Sequence, residues 1–507
     1  MGDKKVESLL LSTGRQLFEQ IEQKKVIFII SNSTIDGILS SSILLDSINR
    51  LGGSAVFRCL DSSNYLELKD RANSLIDEGH ESFIFLDFDS SIFNKIIDSI
   101  TQEGYFLFIN TDNNIGDKEN TNENGNLSCI NINKLNNNSN LELISTISAV
   151  AYYIVKPFDR KITHRSHLPI IARISKFSRT NRSKIDQASE EILQTAITLN
   201  LMEKKKRLIF VDKQNSSIIE ALENNTSFFI RGLTWNKQAS IEVLKQSGIA
   251  YTEKERVKSL DEFEDEDYDE IVNSIEKFVE KGTAKNLQNG GNINTKRNVR
   301  DKLLTYDYVL SNEETNSILK GAHSFSRVLE SCIRRKKFGM ALAISLGDRY
   351  GLLADVQNHI EEDNSTIKKI GSRIFGEKWR FYEDKEIVFV NAEGVLSEKD
   401  IDQFANLICK SISFSEKIIF LRTTGTENEE VYKYTLLNGD GIDLDSIKIK
   451  NKINEFIESQ DLSNIDRSNL TYRNDNGVSS IEILVPMKEL EVFLSNIKKI
   501  VMNARIA

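Results

Sequence analysis

Short apolar runs alternate with amphipathic stretches through the first 155 residues. Val26–Ser31 (VIFIIS) is apolar throughout and too short for a helix, so it predicts a buried strand. Apolar residues then recur at helical spacing (Ile38, Leu39, Ile43, Leu44, Ile48) within a helix predicted over Asp36–Leu51. The alternation continues with strands at Ser54–Cys59, Phe83–Asp87 and Tyr105–Asn110, and helices at Tyr65–Ile76 and Ile92–Ile100. Continuous apolar strands separated by helices predict an α/β fold with a parallel sheet covered on both faces. Ligands of such sheets bind beyond the carboxyl ends of the strands, so candidate chemistry is sought there.

Thirteen asparagines between Asn110 and Asn140 predict a long, loop-rich connection, interrupted by a strand at Leu127–Ile132. Leu141–Val155 then reads as a buried helix. From about 206 to 300 the pattern is less regular, with short strands at Arg207–Val211 and Ser227–Ile230, an acidic run at Asp261–Glu270 and a linker at Asn286–Asn298. A β/α pattern restarts after it, with strands at Glu386–Asn391, Lys417–Arg422, Val431–Leu436 and Ile481–Val485 and helices at Ser397–Ser411 and Met487–Asn503. These shifts predict a domain over 1–205, a helical connector over 206–305 and a smaller C-terminal α/β domain over 306–507.

Composition narrows the class. At 507 residues the chain exceeds one hydrophobic core. It has no apolar run long enough to span a bilayer and no signal-peptide pattern, which predicts a cytoplasmic protein without a membrane partner. Its net charge of −9 argues against coating duplex DNA by bulk electrostatics. Cys59, Cys129, Cys332 and Cys409 form no CxxC pair, so reduced thiols are expected rather than a zinc site. Histidine is scarce: His80, His164, His167, His323 and His359 are all there are.

The strand ends carry the candidate chemistry. The first predicted strand runs into Asn32-Ser33-Thr34-Ile35-Asp36-Gly37 at a helix start. The third ends in Asp87, and the fourth is followed by Asp112-Asn113-Asn114. Asp36, Asp87 and Asp112 thus converge on one sheet edge, an arrangement that suits a hard cation.

In this order the segments resemble the DHH-superfamily (RecJ-like) phosphoesterases. Their motifs run strand–HxDxDG–helix, strand-end Asp, strand–DHH and a further Asp, and those side chains hold two Mn²⁺ or Mg²⁺ ions. Against that pattern the chain keeps Asp36, Gly37, Asp87 and Asp112. Asn32 stands at the first His position, Thr34 at the first Asp, Asn113 and Asn114 at the paired His, and Lys176 at the last Asp. Two neighbouring cations need several anionic or imidazole ligands. The resemblance therefore implies a degenerate site with no catalytic residues and no cofactor, a weak Mg²⁺ or Mn²⁺ on Asp36, Asp87 and Asp112 being the alternative. Lys176 is expected to pair with those carboxylates.

The resemblance extends further. Residues 321–349 are similar, through His323, Phe325, Val328, Leu329, Ala341, Gly347 and Asp348, to a helix followed by a strand and turn in archaeal GINS-associated nucleases. The strand ending at Arg422-Thr423-Thr424 resembles the start of a DHH-associated domain. There, Tyr472–Pro486 holds one glycine and no histidine where active members have a Gly-rich loop. Proteins of this inactive kind resemble the RecJ-derived subunit of the CMG replicative helicase. That resemblance implies a nucleoid-associated replication factor with the GINS complex and the MCM helicase as partners. A RecJ-type 5′–3′ single-strand exonuclease with a reduced site, and a single-stranded DNA-binding module, are the alternatives.

Residues 160–184 hold eight Lys or Arg and no acid. Arg165, Arg173, Lys176, Arg179, Arg182 and Lys184 form a candidate strip for single-stranded DNA or an acidic partner, against the reading of a solvated helix face. Arg334-Arg335-Lys336-Lys337 reads as a charged turn before a strand, and Trp235 and Trp379 as core or interdomain anchors.

Overall fold

The structure is a computed structural model. It describes residues 4–60, 65–88, 104–111, 127–137, 143–176, 185–208, 216–226, 229–286, 299–300, 302–383, 386–397, 400–414, 417–424, 431–438, 471–475, 478–486, 493 and 496. Two compact units emerge, one of residues 1–205 and 307–360, the other of 206–306 and 361–507. The apolar pattern divides the chain into 1–205, 206–305 and 306–507. Residues 307–360, however, pack in the first unit, not with the C-terminal part, and 206–306 belong to the second unit.

The first unit opens with α1 (Lys4–Glu22), β1 (Val26–Asn32), α2 (Ile35–Arg50), β2 (Ser54–Leu60), α3 (Tyr65–Asp77), β3 (Ser82–Leu86), β4 (Tyr105–Asn110) and β5 (Leu127–Asn131). These five strands form one parallel sheet in the order β2-β1-β3-β4-β5. Alternation along each strand divides its side chains between two cores. Ile27, Ile29, Ile84 and Leu107 face one, while Phe28, Ile30, Phe83 and Phe85 join Phe106 and Phe108 in the other. There Phe85 stacks on Phe108 with ring centroids 4.5 Å apart.

Beyond the sheet come α4 (Ile132–Asn137), α5 (Ile147–Val155), α6 (His167–Lys176) and α7 (Gln187–Thr198). The helix predicted from Leu141 begins only at Ile147. Asn136 holds the preceding backbone extended by accepting from the amides of Leu143 (2.9 Å) and Ile144 (3.2 Å), and Thr146 caps the helix through the Ala149 amide. The chain leaves along β6 (Met202–Leu208).

The second unit contains α8 (Ile218–Glu223), α9 (Lys237–Ser247), the short strands β7 (Thr252–Glu253) and β8 (Arg256–Val257), and α10 (Asp265–Asn286). Phe229 and Ile230, expected in a strand, lie in a loop where the Ile230 amide donates to Thr234 Oγ1. The acidic run enters the first turn of α10, where Asp265, Glu266 and Asp267 oppose the positive helix end. Trp235 packs on Phe229 and beside Phe375, as expected of an anchor; Trp379 instead lies 66% exposed.

The chain returns along β9 (Leu304–Leu310) to α11 (Ala322–Arg334), α12 (Phe338–Leu346) and α13 (Gly351–Gly376). The segment after Arg334–Lys337 is thus helix α12 and not the predicted strand. The remaining elements are β10 (Phe381–Glu383), β11 (Ile387–Asn391), α14 (Ile401–Cys409), β12 (Ile418–Thr424), β13 (Val431–Asn438), β14 (Thr471–Asp475) and β15 (Val478–Pro486). Their strands form a mixed sheet in the order β10-β11-β12-β13-β15-β14. The stretch compared with a Gly-rich loop carries the antiparallel pair β14–β15. The predicted helices at Ile92–Ile100 and Met487–Asn503 and the linker at Asn286–Asn298 lie almost wholly outside the described residues.

Candidate functional site

At the carboxyl edge of the parallel sheet, β1 ends in Asn32 and turns directly into α2. The turn is tight. A Cβ on Gly37 would stand 2.3 Å from Ser31 Oγ and 2.9 Å from the Asn32 carbonyl oxygen, so only glycine allows the helix to start this close to the strand. Thr34 caps α2 by accepting from the Gly37 amide at 3.0 Å.

Two motif positions close onto a third. Asn32 Nδ2 donates to the Asp87 carbonyl oxygen at 2.9 Å, while its Oδ1 accepts from the Ser33 amide at 2.8 Å. The Thr34 hydroxyl donates to Asp87 Oδ2 at 2.5 Å. Asp87 sits in the left-handed region at φ 64°, which Asp tolerates better than most residues, and its amide donates to Ile109 at 2.9 Å. Asp36, buried at 5% exposure, faces another way. Its Oδ2 accepts from the Ile147 amide at 2.8 Å and its Oδ1 from the Ser148 amide at 2.9 Å, so one carboxylate holds the first two amides of α5.

This arrangement does not fit a two-metal centre. Such a centre needs carboxylate lone pairs aimed at shared points. Here both Asp36 oxygens serve a helix terminus, and Thr34 and Asn32 bring a hydroxyl and an amide to Asp87. Among the described residues, no three His, Cys, Asp or Glu side chains gather as a metal-binding group. Asp112, Asn113 and Asn114 lie outside the described residues.

Lys176 was expected to pair with Asp36, Asp87 or Asp112, and Asp112 lies outside the described residues. The Lys176 Nζ donates to the Ser145 carbonyl oxygen at 3.1 Å, one residue before the cap of α5. Asn110 and Asn131, which sequence reasoning missed, end β4 and β5 on the same edge. They are buried and joined by a 2.9 Å bond from Asn131 Nδ2 to Asn110 Oδ1. Their position as the last residues of apolar strands was the available signal.

Two described members of the basic strip, Arg165 and Arg173, are committed inward. Arg165 donates to Asp46 at 2.7 Å and to the Leu346 carbonyl at 2.9 Å, beside the pairs of Arg50 with Asp46 and Asp159. Arg173 pairs at 3.2 Å with Asp186, whose side chain is fully buried, caps α7 through Ser189 and accepts from Ser145. Lys176 is exposed, and Arg179, Arg182 and Lys184 lie outside the described residues. His167, at the start of α6, is held neutral: burial, then Arg165 and Arg349, push its pKa down to about 3.

Cys332 is buried, and burial pushes its thiol up to about 11. Among the described residues no helix is long and apolar enough to cross a membrane.

No family model matches the chain, and no curated protein matches it in sequence. Solved structures do. The crystal structure of CDC45 from Entamoeba histolytica matches with a TM-score of 0.61 at 13% identity, covering 98% of this chain and 99% of that one. RecJ from Thermus thermophilus, in complex with Mn²⁺, matches with a TM-score of 0.48 at 10% identity, covering 98% of this chain and 55% of that one. Likeness over essentially the full length of both chains shows that this protein has the α/β fold of CDC45, with its parallel sheet and its second, mixed sheet.

Proposed function

We propose that the protein is a non-catalytic DNA-replication factor that binds GINS and MCM and stabilises a CMG-like helicase. The observation that carries this reading is the hydrogen-bonding of Asn32 and Thr34 to Asp87, with Asp36 turned to the terminus of α5. The resemblance puts metal ligands at these positions; here they connect β1, α2, β3 and α5. A sheet edge stabilised in this way keeps the fold without the hydrolytic chemistry, as an assembly subunit requires. The full-length fold likeness to CDC45 supports the same role.

The test is affinity purification of the tagged full-length protein from its native cells, together with a nuclease assay. GINS and MCM subunits are expected to co-purify in a salt-stable complex, and the protein alone should release no nucleotides from single-stranded DNA in Mn²⁺. Mn²⁺-dependent digestion that disappears in Asp87→Ala would overturn the reading in favour of a RecJ-type exonuclease. Purification without GINS and MCM would overturn the assembly role.

A further inference from the structure

Helix α12 (FGMALAISL) has no charged residue and a single polar one, Ser345, which is buried. Ala341, Ile344 and Ser345 face the interior, where α12 packs on α2 and α11. On the opposite side Gly339, Leu342, Ala343 and Leu346 follow the i, i+3, i+4, i+7 spacing of one helical stripe. Gly339 is exposed and the other three are half-buried, and Tyr350, just past the helix, is 86% exposed. A surface helix ordinarily turns charged residues outward. One that is apolar all round belongs between two packed layers, and among the described residues α2 and α11 supply one.

The N-terminal end of this stripe is cationic. Lys336 and Lys337 are both exposed. Lys337 occupies the N-cap of α12 without a side-chain capping bond, no acid stands in the first turn, and Lys336 adopts φ 55°. The left-handed Lys336 closes α11, its amide donating to Ile333 and that of Lys337 to Cys332, but the lysine cap and the missing acid work against α12. An N-cap favours an acceptor side chain, and a cation opposes the positive end of the helix dipole.

We infer that this face docks an amphipathic helix of a partner protein, apolar where it meets Leu342 and Leu346 and acidic where it meets Lys336 and Lys337. The charge on the surface selects this occupant. A nucleic acid strand would call for available cations along the whole stripe, whereas Lys336 and Lys337 stand at one end and the arginines at the other, Arg165 and Arg349, are paired with Asp46 and Glu313. Helix-in-groove recognition takes its affinity from apolar anchors and its direction from such an end charge. The inference does not depend on which protein supplies the helix.

The experiment places the photo-crosslinker p-benzoylphenylalanine at Leu342 of the full-length chain in its native cells and identifies the crosslinked segment by mass spectrometry. The expected product is one protein segment with helical apolar periodicity and Asp or Glu clustered at one end. Lys336→Glu with Lys337→Glu should cut its yield by about tenfold or more without lowering the thermal midpoint, and Leu346→Ser should cut it as well. Crosslinks to a second copy of this chain or to lipid, no crosslink, or a yield indifferent to charge reversal would each overturn the inference. A segment of the expected chemistry belonging to neither GINS nor MCM would support this surface and count against the assembly role.

Discussion

Both oxygens of Asp36 accept from the first two amides of α5, at the positive end of its dipole. Hydrogen bonds to a buried charged acceptor are worth more than neutral ones, so Asp36→Ala should lower the free energy of unfolding by about 2 kcal/mol. A urea titration in metal-free buffer checks it, and the sign discriminates. A carboxylate kept for a cation repels its neighbours when the cation is absent, and its removal then raises stability. His167 gives a pH dependence whose direction follows from its depressed pKa. Between its ordinary value near 6.5 and its folded value of about 3, the unfolded chain binds the proton and the folded chain does not. Its contribution therefore makes stability fall as the pH drops below 6.5. His167→Gln should flatten that part of a thermal-midpoint-against-pH curve. At this scale the strand-end positions of Asp36, Gly37 and Asp87 were legible, but their partners were not. Asn32 meets Asp87 across 55 positions, and Lys176 reaches the Ser145 carbonyl, because spacing along a chain fixes faces and not distances.

Elements were legible where periodicity was strong. Strands β1 to β5 fall within a residue or two of their apolar runs, and in β1, β3 and β4, the inner strands, almost no polar position blurs the run. The failure at α12 has the same origin. An unbroken apolar run such as FGMALAISL has neither period, so only its tertiary setting separates strand from helix. Arg173 shows how one residue reads differently at this scale. It looked like part of a nucleic-acid strip, yet it ties α6 to the cap of α7 through a carboxylate with no exposure. Arg173→Ala leaves that carboxylate without its cation, and breaking such a buried pair costs about 3 kcal/mol in unfolding free energy. Lys176→Ala, exposed on the same helix, should cost a small fraction of that. Parallel denaturation of the two variants separates structural from surface members of the strip.

The chain's passage out of and back into the first unit sets a condition on how that unit folds. Residues 307–360 bring α11 and α12 onto α6 and α2. They supply Phe325, Val328, Leu329 and Ile344, all at 0% exposure, to the core that also holds Ile38, Ile43 and Ile171. Burying four such side chains contributes roughly 8 kcal/mol at about 2 kcal/mol each, an upper figure because the unfolded chain already hides part of that surface. A domain's whole stability is about 5–15 kcal/mol, so residues 1–205 alone should not hold a native core. The apolar pattern did not reveal this, because it ends at a division near 205 and carries no record of a return a hundred residues later. The two ends of the excursion nevertheless lie together, with the Ser311 amide donating to the Leu201 carbonyl at 3.0 Å. A short Gly/Ser linker in place of 206–306 should therefore join 1–205 to 307–360 without strain. That fusion is expected to unfold in one cooperative transition, whereas 1–205 alone should bind a hydrophobic dye and lack near-UV circular dichroism. A cooperative melt of 1–205 alone would show that α11 and α12 cover a core already complete without them.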